Sequence, residues 1–267
     1  MNYVRATTFG SFVRSAFGLY FGNFPVLCGI YLLPTIPAGL FADLILPREG
    51  LLYAAANSVS HLAAMIASAA IALAVSEICL GNRPNVKDTY RRLATRMGSV
   101  ILASLLVVVA FEAGYVLYLM AQSRLEAGAP LNQYYLTLII ILTYIAVVGT
   151  YLMFAMSVAA LEKLNAVDAL KRSIRLVKGF FWRNLGVALV TCTLLLVATV
   201  ILAVVRISLS GLESVDERPS ALVSLIDHLV FGTTVVPSNV AIVLLYYDAR
   251  VRKEQFNREQ LAQGLPN

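Results

Sequence analysis

The chain has 267 residues, 59% of them hydrophobic and 13% charged, with a mean hydropathy of +0.78 and a formal net charge of +6. Ordinary soluble domains are roughly a quarter charged, and a globule of this length still exposes about a quarter of its unfolded surface, so a water-soluble fold cannot hide so many apolar side chains. High hydropathy without low-complexity runs excludes disorder, leaving an integral membrane protein, a single polytopic domain over 1–267, whose positive charge is a matter of membrane side and not of a nucleic-acid partner.

The N-terminal stretch lacks the charged-then-apolar layout of a cleaved signal peptide, so the first long apolar run is expected to be retained. Residues 7–21 place Phe9, Phe12, Ala16 and Tyr20 on one helical face, which predicts an interfacial helix. Runs of about 20 apolar residues, enough to cross ~30 Å of hydrocarbon, follow at 24–46 and 52–76. The first contains Pro25, Pro34 and Pro37, which predicts a kinked or irregular helix whose freed carbonyls need donors from neighbours. The second sets Ser60, Ala64, Ser68, Ala72 and Ser76 at every fourth position. That stripe suits close helix packing, or else a permeation wall. A basic amphipathic helix is predicted at 85–97, spans at 98–121 and 134–161, a second basic helix at 165–180, and spans at 185–205 and 221–247. Cys28, Cys79 and Cys192 lie inside apolar runs without paired spacing and read as small hydrophobes, not as a disulfide framework or metal site.

Seventeen of the 21 lysines and arginines lie before the first predicted span, between the second and third, between the fourth and fifth, and after the sixth. The intervening loops hold only Arg48, Arg124, Arg206 and Arg218. Positive residues stay on the cytoplasmic side, so both termini are predicted there, in a bacterial inner membrane. The two basic loops also repeat. Asn85-Val86-Lys87-Asp88-Thr89-Tyr90-Arg91-Arg92 aligns without gaps on Asn165-Ala166-Val167-Asp168-Ala169-Leu170-Lys171-Arg172. Each asparagine is placed as an N-cap with an acid three residues on. The apolar faces are Val86, Tyr90, Leu93 and Met97 in one helix and Val167, Leu170, Ile174 and Val177 in the other, each expected to lie face down in the headgroup plane. Arg14-Ser15 echoes Arg172-Ser173. The predicted fold is therefore all-α: six transmembrane helices in three hairpins, each preceded by a cytoplasmic interfacial elbow helix.

Few ionisable groups fall inside the spans, among them Glu112, Asp227, His228, His61 and, near a span end, Glu77. Such groups at membrane depth mark function or pinned helix contacts. Glu112, Asp227 and His228 therefore read either as a proton or substrate relay or as a structural polar cluster. Lys171, Arg172, Arg175, Lys178 and Arg183, with Arg91 and Arg92, read either as lipid-headgroup contacts or as an ordinary positive collar, with Phe180-Phe181-Trp182 as interfacial anchor. Asp248, followed by Arg250, Arg252 and Lys253, is predicted to lock the last hairpin to the third elbow by pairing with Lys171 or Arg172. There is no Gly-x-Ser-x-Gly, His-Glu-x-x-His, Gly-x-x-x-x-Gly-Lys or Cys-x-x-Cys, so no enzyme, metal or cofactor is predicted.

The closing stretch Leu244-Leu245-Tyr246-Tyr247-Asp248-Ala249-Arg250-Val251-Arg252-Lys253-Glu254, with Ala249 where a bulkier leucine is expected, resembles that of a bacterial six-span family. The family is named for the membrane domain of glycerophosphoryl diester phosphodiesterase. Ala169-Leu170-Lys171-Arg172-Ser173, the exit Lys178-Gly179-Phe180-Phe181-Trp182, Pro237 and the start Phe9-Gly10-Ser11-Phe12 are similar to it as well. The resemblance implies a membrane module in phospholipid or envelope biology. About 20 residues follow the last span, too few for the catalytic barrel of fused relatives, so hydrolase activity is not expected. The sequence thus points to a non-enzymatic inner-membrane module that organises anionic inner-leaflet lipids or a membrane-protein partner, a second copy included. The alternatives are a small transporter or permease-like subunit with a polar path near Glu112, Asp227 and His228, and an intramembrane lipid enzyme.

Overall fold

The computed structural model describes residues 9–45, 50–126, 128, 130–209 and 221–264, and these are helical with no strand among them. In chain order the elements are α1 (Phe9–Gly22), α2 (Phe24–Ile45), α3 (Gly50–Leu80), α4 (Val86–Ala94), α5 (Met97–Glu126), α6 (Leu131–Leu152), α7 (Ala155–Leu161), α8 (Ala166–Val177), α9 (Phe181–Leu209), α10 (Ala221–Glu254) and α11 (Arg258–Gly264). Five stretches are long and apolar enough to cross a membrane: Phe24–Leu44, Ser58–Leu80, Met97–Glu126, Leu131–Leu161 and Ala221–Glu254. They fall on the first four predicted spans and the last. Helix α9 occupies the remaining predicted stretch. Leucine, isoleucine and valine on the outer faces of α5, α6 and α9 are exposed, among them Val109, Leu136, Ile139, Leu142, Leu196 and Val200. An apolar belt of this kind is compatible with a membrane-embedded chain.

Helix α3 is the centre of the bundle, packed on α2, α5, α7 and α10. All of 69–76 is buried, and the lower half of the small-residue stripe, Ala72 and Ser76, is what allows it. Ser76 donates to Ala72 O and meets the Tyr247 hydroxyl of α10 at 2.5 Å. Elsewhere α2 packs on α3, α5 on α6, and α9 on α10.

Proline leaves the carbonyl four residues earlier without its helical donor, and the short helices supply one. Helix α2 continues through Pro34 and Pro37. Pro34 frees the carbonyl of Ile30, which accepts 2.7 Å from the Tyr90 hydroxyl of α4. Helix α10 continues through Pro237, which frees the carbonyl of Thr233, and the Tyr20 hydroxyl of α1 donates to it at 3.0 Å. Burial raises both phenol pKa values, and Tyr31 beside Tyr90 and Cys28 beside Tyr20 add to it. Both therefore stay protonated donors across the physiological range.

The fourth span, Leu131–Leu161, falls on the predicted stretch 134–161 and is interrupted within it. Helix α6 stops at Leu152, and α7 follows with all of its residues buried. Ser173 of α8 bridges the break, accepting from Phe154 N at 3.2 Å and donating to Tyr151 O at 2.7 Å. The two polar groups that a break would orphan are thereby satisfied.

The capping asparagines stand as expected, Asn85 accepting from Lys87 N and Asn165 from Asp168 N, both at 2.9 Å. Phe12, Ala16 and Tyr20 of α1 are buried together, as their spacing predicts. Helix α8 turns Ala166, Ala169, Ser173, Leu176 and Val177 to the bundle, whereas Val167 and Ile174 of the predicted membrane-facing side are exposed. Small residues turn toward the bundle because α8 must come close enough for Ser173 to reach the α6–α7 break.

Helices α2 and α10 approach through glycines. A Cβ at Gly39 would overlap the His228 imidazole, and one at Gly232 would meet the Leu32 side chain. Gly39→Ala is expected to destabilise by about 1–3 kcal/mol through overpacking. Gly186→Ala, with open space around it, should be neutral or up to ~1 kcal/mol stabilising through helix propensity. Thermal unfolding in detergent compares the two.

Candidate functional site

The C-terminal turns of α3, α7 and α10 meet α4, α8 and α11 at one end of the bundle, joined by Ser99 Oγ donating to Leu164 O (2.9 Å) and by Arg258 to Leu80 O. Acidic residues close the first two of these long stretches. Glu77 pairs with Arg92 of α4, and Glu162 pairs with Arg172 of α8 at 3.1 Å. Arg92 and Arg172 are equivalent in the internal repeat, each seven residues past its capping asparagine. Both elbows thus fasten to the preceding helix by the same arginine, which is a structural counterpart to the repeat read from sequence. Glu162 received no role in the sequence reading, although its place just ahead of an elbow matches that of Glu77.

Around Glu162 the contacts form a network. Tyr246 donates to it at 2.9 Å, Arg250 donates to the Tyr246 oxygen at 3.1 Å and to Glu254 at 3.1 Å, and Glu254 meets Arg172 at 2.5 Å. The Arg250 guanidinium lies over the Phe256 ring, 3.6 Å from its centroid. Burial alone would lower the Arg172 pKa, but Glu254 and Glu162 more than reverse this and hold it above its ordinary value. Lys253 donates to the carbonyls of Arg175 (2.6 Å) and Lys178, the last acceptors of α8, where a cation also suits the helix dipole.

A lock between α10 and the elbow α8 therefore exists, but not through the predicted pair. Asp248, 2% exposed, is held by Arg183 at the start of α9 and by Arg252 on its own helix at 2.8 Å. Glu254, paired with Arg172 of the elbow, and Lys253 make the contacts instead. Asp248 lies on the side of α10 that faces α9, so Lys171 and Arg172 are not its partners.

The intramembrane relay of Glu112, Asp227 and His228 is not assembled. Glu112 meets His61 of α3 at 3.5 Å, on a partly exposed face. His228 meets Asp43 of α2 at 3.1 Å, and Ser224, one turn before it, donates to the same carboxylate oxygen at 3.0 Å. Asp227 lies beside this pair on α10. Asp43 lies inside the predicted span 24–46, where an acid is itself a signal, and its partner 185 residues away shows which cluster it joins. No group of three or more His, Cys, Asp or Glu residues suited to a metal occurs among the described residues.

Among the predicted lipid contacts, Arg92, Arg172 and Arg183 are occupied by carboxylates, and exposed Arg91 stands 3.5 Å from Asp88. Lys171, Arg175 and Lys178 are exposed, and no ion pair holds them among the described residues. They share the outward side of α8 with Val167, Ile174 and the single tryptophan, Trp182, which is 81% exposed. Beside this surface is a cavity of about 770 Å³ between α3, α5, α6, α7, α9 and α10. Its walls are nearly all apolar, and it runs from Phe181 and Trp182 to Phe111 and Leu142. Along α6, from Leu142 to Leu152, that is about 15 Å at ~1.5 Å per residue.

Arg172→Ala takes a charged partner from half-buried Glu162 and from the more exposed Glu254 and is expected to cost about 1–3 kcal/mol. Lys171→Ala, on the exposed side, should stay within about 0.5 kcal/mol of the parent; denaturation in a neutral detergent measures both. Comparison with protein-family models, curated proteins and solved structures gives no match, so the reading of this end of the molecule rests on its geometry.

Proposed function

We propose that the chain is a non-enzymatic six-span module of a bacterial inner membrane, three elbow-plus-hairpin units with both termini cytoplasmic, that binds inner-leaflet phospholipid. The cavity beside α8 and α9 carries this reading. Its length matches one leaflet of hydrocarbon, about half of ~30 Å, and its volume lies within the ~300–1,000 Å³ typical of ligand sites. Apolar walls suit an acyl chain. Phe181 and Trp182 line the cavity, and the elbow α8 that leads into them carries exposed Lys171 and Arg175, with Lys178 at its end, unneutralised charge for an anionic headgroup; Trp182 suits an interfacial anchor. The resemblance to the glycerophosphoryl diester phosphodiesterase membrane domain agrees with a place in phospholipid biology. A transport path through Glu112, Asp227 and His228 is less well supported, because these residues pair on different helices.

Native mass spectrometry of the protein purified in mild detergent tests this. The parent should carry a bound phospholipid, and Ala146→Phe, which fills the cavity wall, should lower its occupancy several-fold. Equal occupancy in the two proteins, or none in either, contradicts the proposal.

A further inference from the structure

A second cleft, of about 880 Å³, lies between the α4–α5 and α7–α8 junctions and shares no lining residue with the apolar cavity. Thr95, Arg96, Gly98 and Ser99 form one wall, Glu162 and Lys163 the other, and Gln263 of α11 closes the side. Hydroxyl donation from Ser99 to Leu164 O ties the two walls together.

Charge in this cleft is unbalanced. The half-buried arginines nearby, Arg92, Arg172, Arg183 and Arg250, each meet a carboxylate. Arg96 meets none among the described residues, and its Nη1 is buried without a hydrogen-bond partner. Burial lowers its pKa, yet a guanidinium stays protonated in proteins. Lys163 across the cleft is exposed and also lacks an ion pair among the described residues. Glu162 cannot neutralise either, since Arg172 and Tyr246 already engage it. The first-turn amides of α5, Met97 to Ser99, have no backbone acceptor, and they add the positive end of a 30-residue helix.

We propose that this cleft binds a phosphate group, held by the Arg96 guanidinium and the Lys163 ammonium against the start of α5. A forked guanidinium and helix-start amides on one wall of the cleft and an ammonium on the other suit a tetrahedral polyanion. The phosphate belongs either to a lipid headgroup reaching over the elbow or to a small phosphate ester from the cytoplasm. The two sources share this recognition chemistry.

Thermal unfolding of the full chain separates them. The parent is measured in neutral detergent with increasing inorganic phosphate, and in phosphatidylcholine nanodiscs with and without phosphatidic acid. The comparison proteins are Arg96→Gln and Lys163→Glu. Lys163 is exposed, so its replacement keeps the test valid even where Arg96→Gln fails to fold. Saturable stabilisation by inorganic phosphate in the parent, with the half-maximal concentration raised at least tenfold in Lys163→Glu, supports the site with a soluble source. Stabilisation by phosphatidic acid but not by free phosphate, lost in the same variant, supports it with a lipid source. Parent and Lys163→Glu responding alike to both probes, or neither responding, overturns it. Lipid retention by the apolar cavity is read separately by Ala146→Phe, so failure of one proposal leaves the other standing.

Discussion

A carbonyl deprived of its helical donor inside an apolar bundle has no water to turn to, and an unsatisfied group there costs several kcal/mol. Such defects occur in the long helices, and at three of them, Pro34, Pro237 and the α6–α7 break, a hydroxyl from a different short helix supplies the donor. Tyr90 of α4 serves Ile30, Tyr20 of α1 serves Thr233, and Ser173 of α8 serves Tyr151. The short helices are therefore structural donors as well as surface elements. Their position against the bundle is fixed by these bonds, and everything that depends on where the elbows sit follows from them.

Charge is arranged with the same economy. Glu77, Glu162, Asp248 and Glu254 absorb the arginines that face the bundle, joining α4 and α8 to the helices before them and α10 to both α8 and α9. Ion pairs this well covered are strongly weakened by loss of one partner, whatever their net worth. Among the described cations without an ion pair are those on the outward side of α8 and those in the cleft at Arg96 and Lys163. At both places an anion from outside the chain meets cations without displacing an internal carboxylate.

Much of this architecture was legible in the sequence. Span-length apolar runs, the caps at Asn85 and Asn165, and the need for outside donors near the prolines all follow from local chemistry. The donors themselves were not legible, because Tyr90 is 60 residues from Ile30 and Tyr20 is 213 from Thr233. Nothing local marks the break after Leu152, which has neither proline nor a charge, and only contact with Ser173 accounts for it. Periodicity reports where the apolar residues of α8 lie, but not that its small residues would face the bundle, which close approach to α6 and α7 demanded. Asp248 was recognised as a lock residue, but the choice between Arg172 and Arg183 depends on how α9 leans against α10. Glu162, outside the spans, becomes part of a site only through its fold partners, whereas Asp43 was legible as an acid inside a predicted span and only its partner His228 was not.

The repair of broken helices by elbow hydroxyls is tested most directly by a double-mutant cycle between Tyr90 and Pro34. Tyr90→Phe removes one oxygen and is predicted to cost about 1–3 kcal/mol, the penalty of an unsatisfied buried acceptor. In the Pro34→Ala background the new backbone N–H serves Ile30, and the same substitution should then cost little. An equal loss of stability from Tyr90→Phe in both backgrounds, the additive outcome expected of independent sites, would contradict the account.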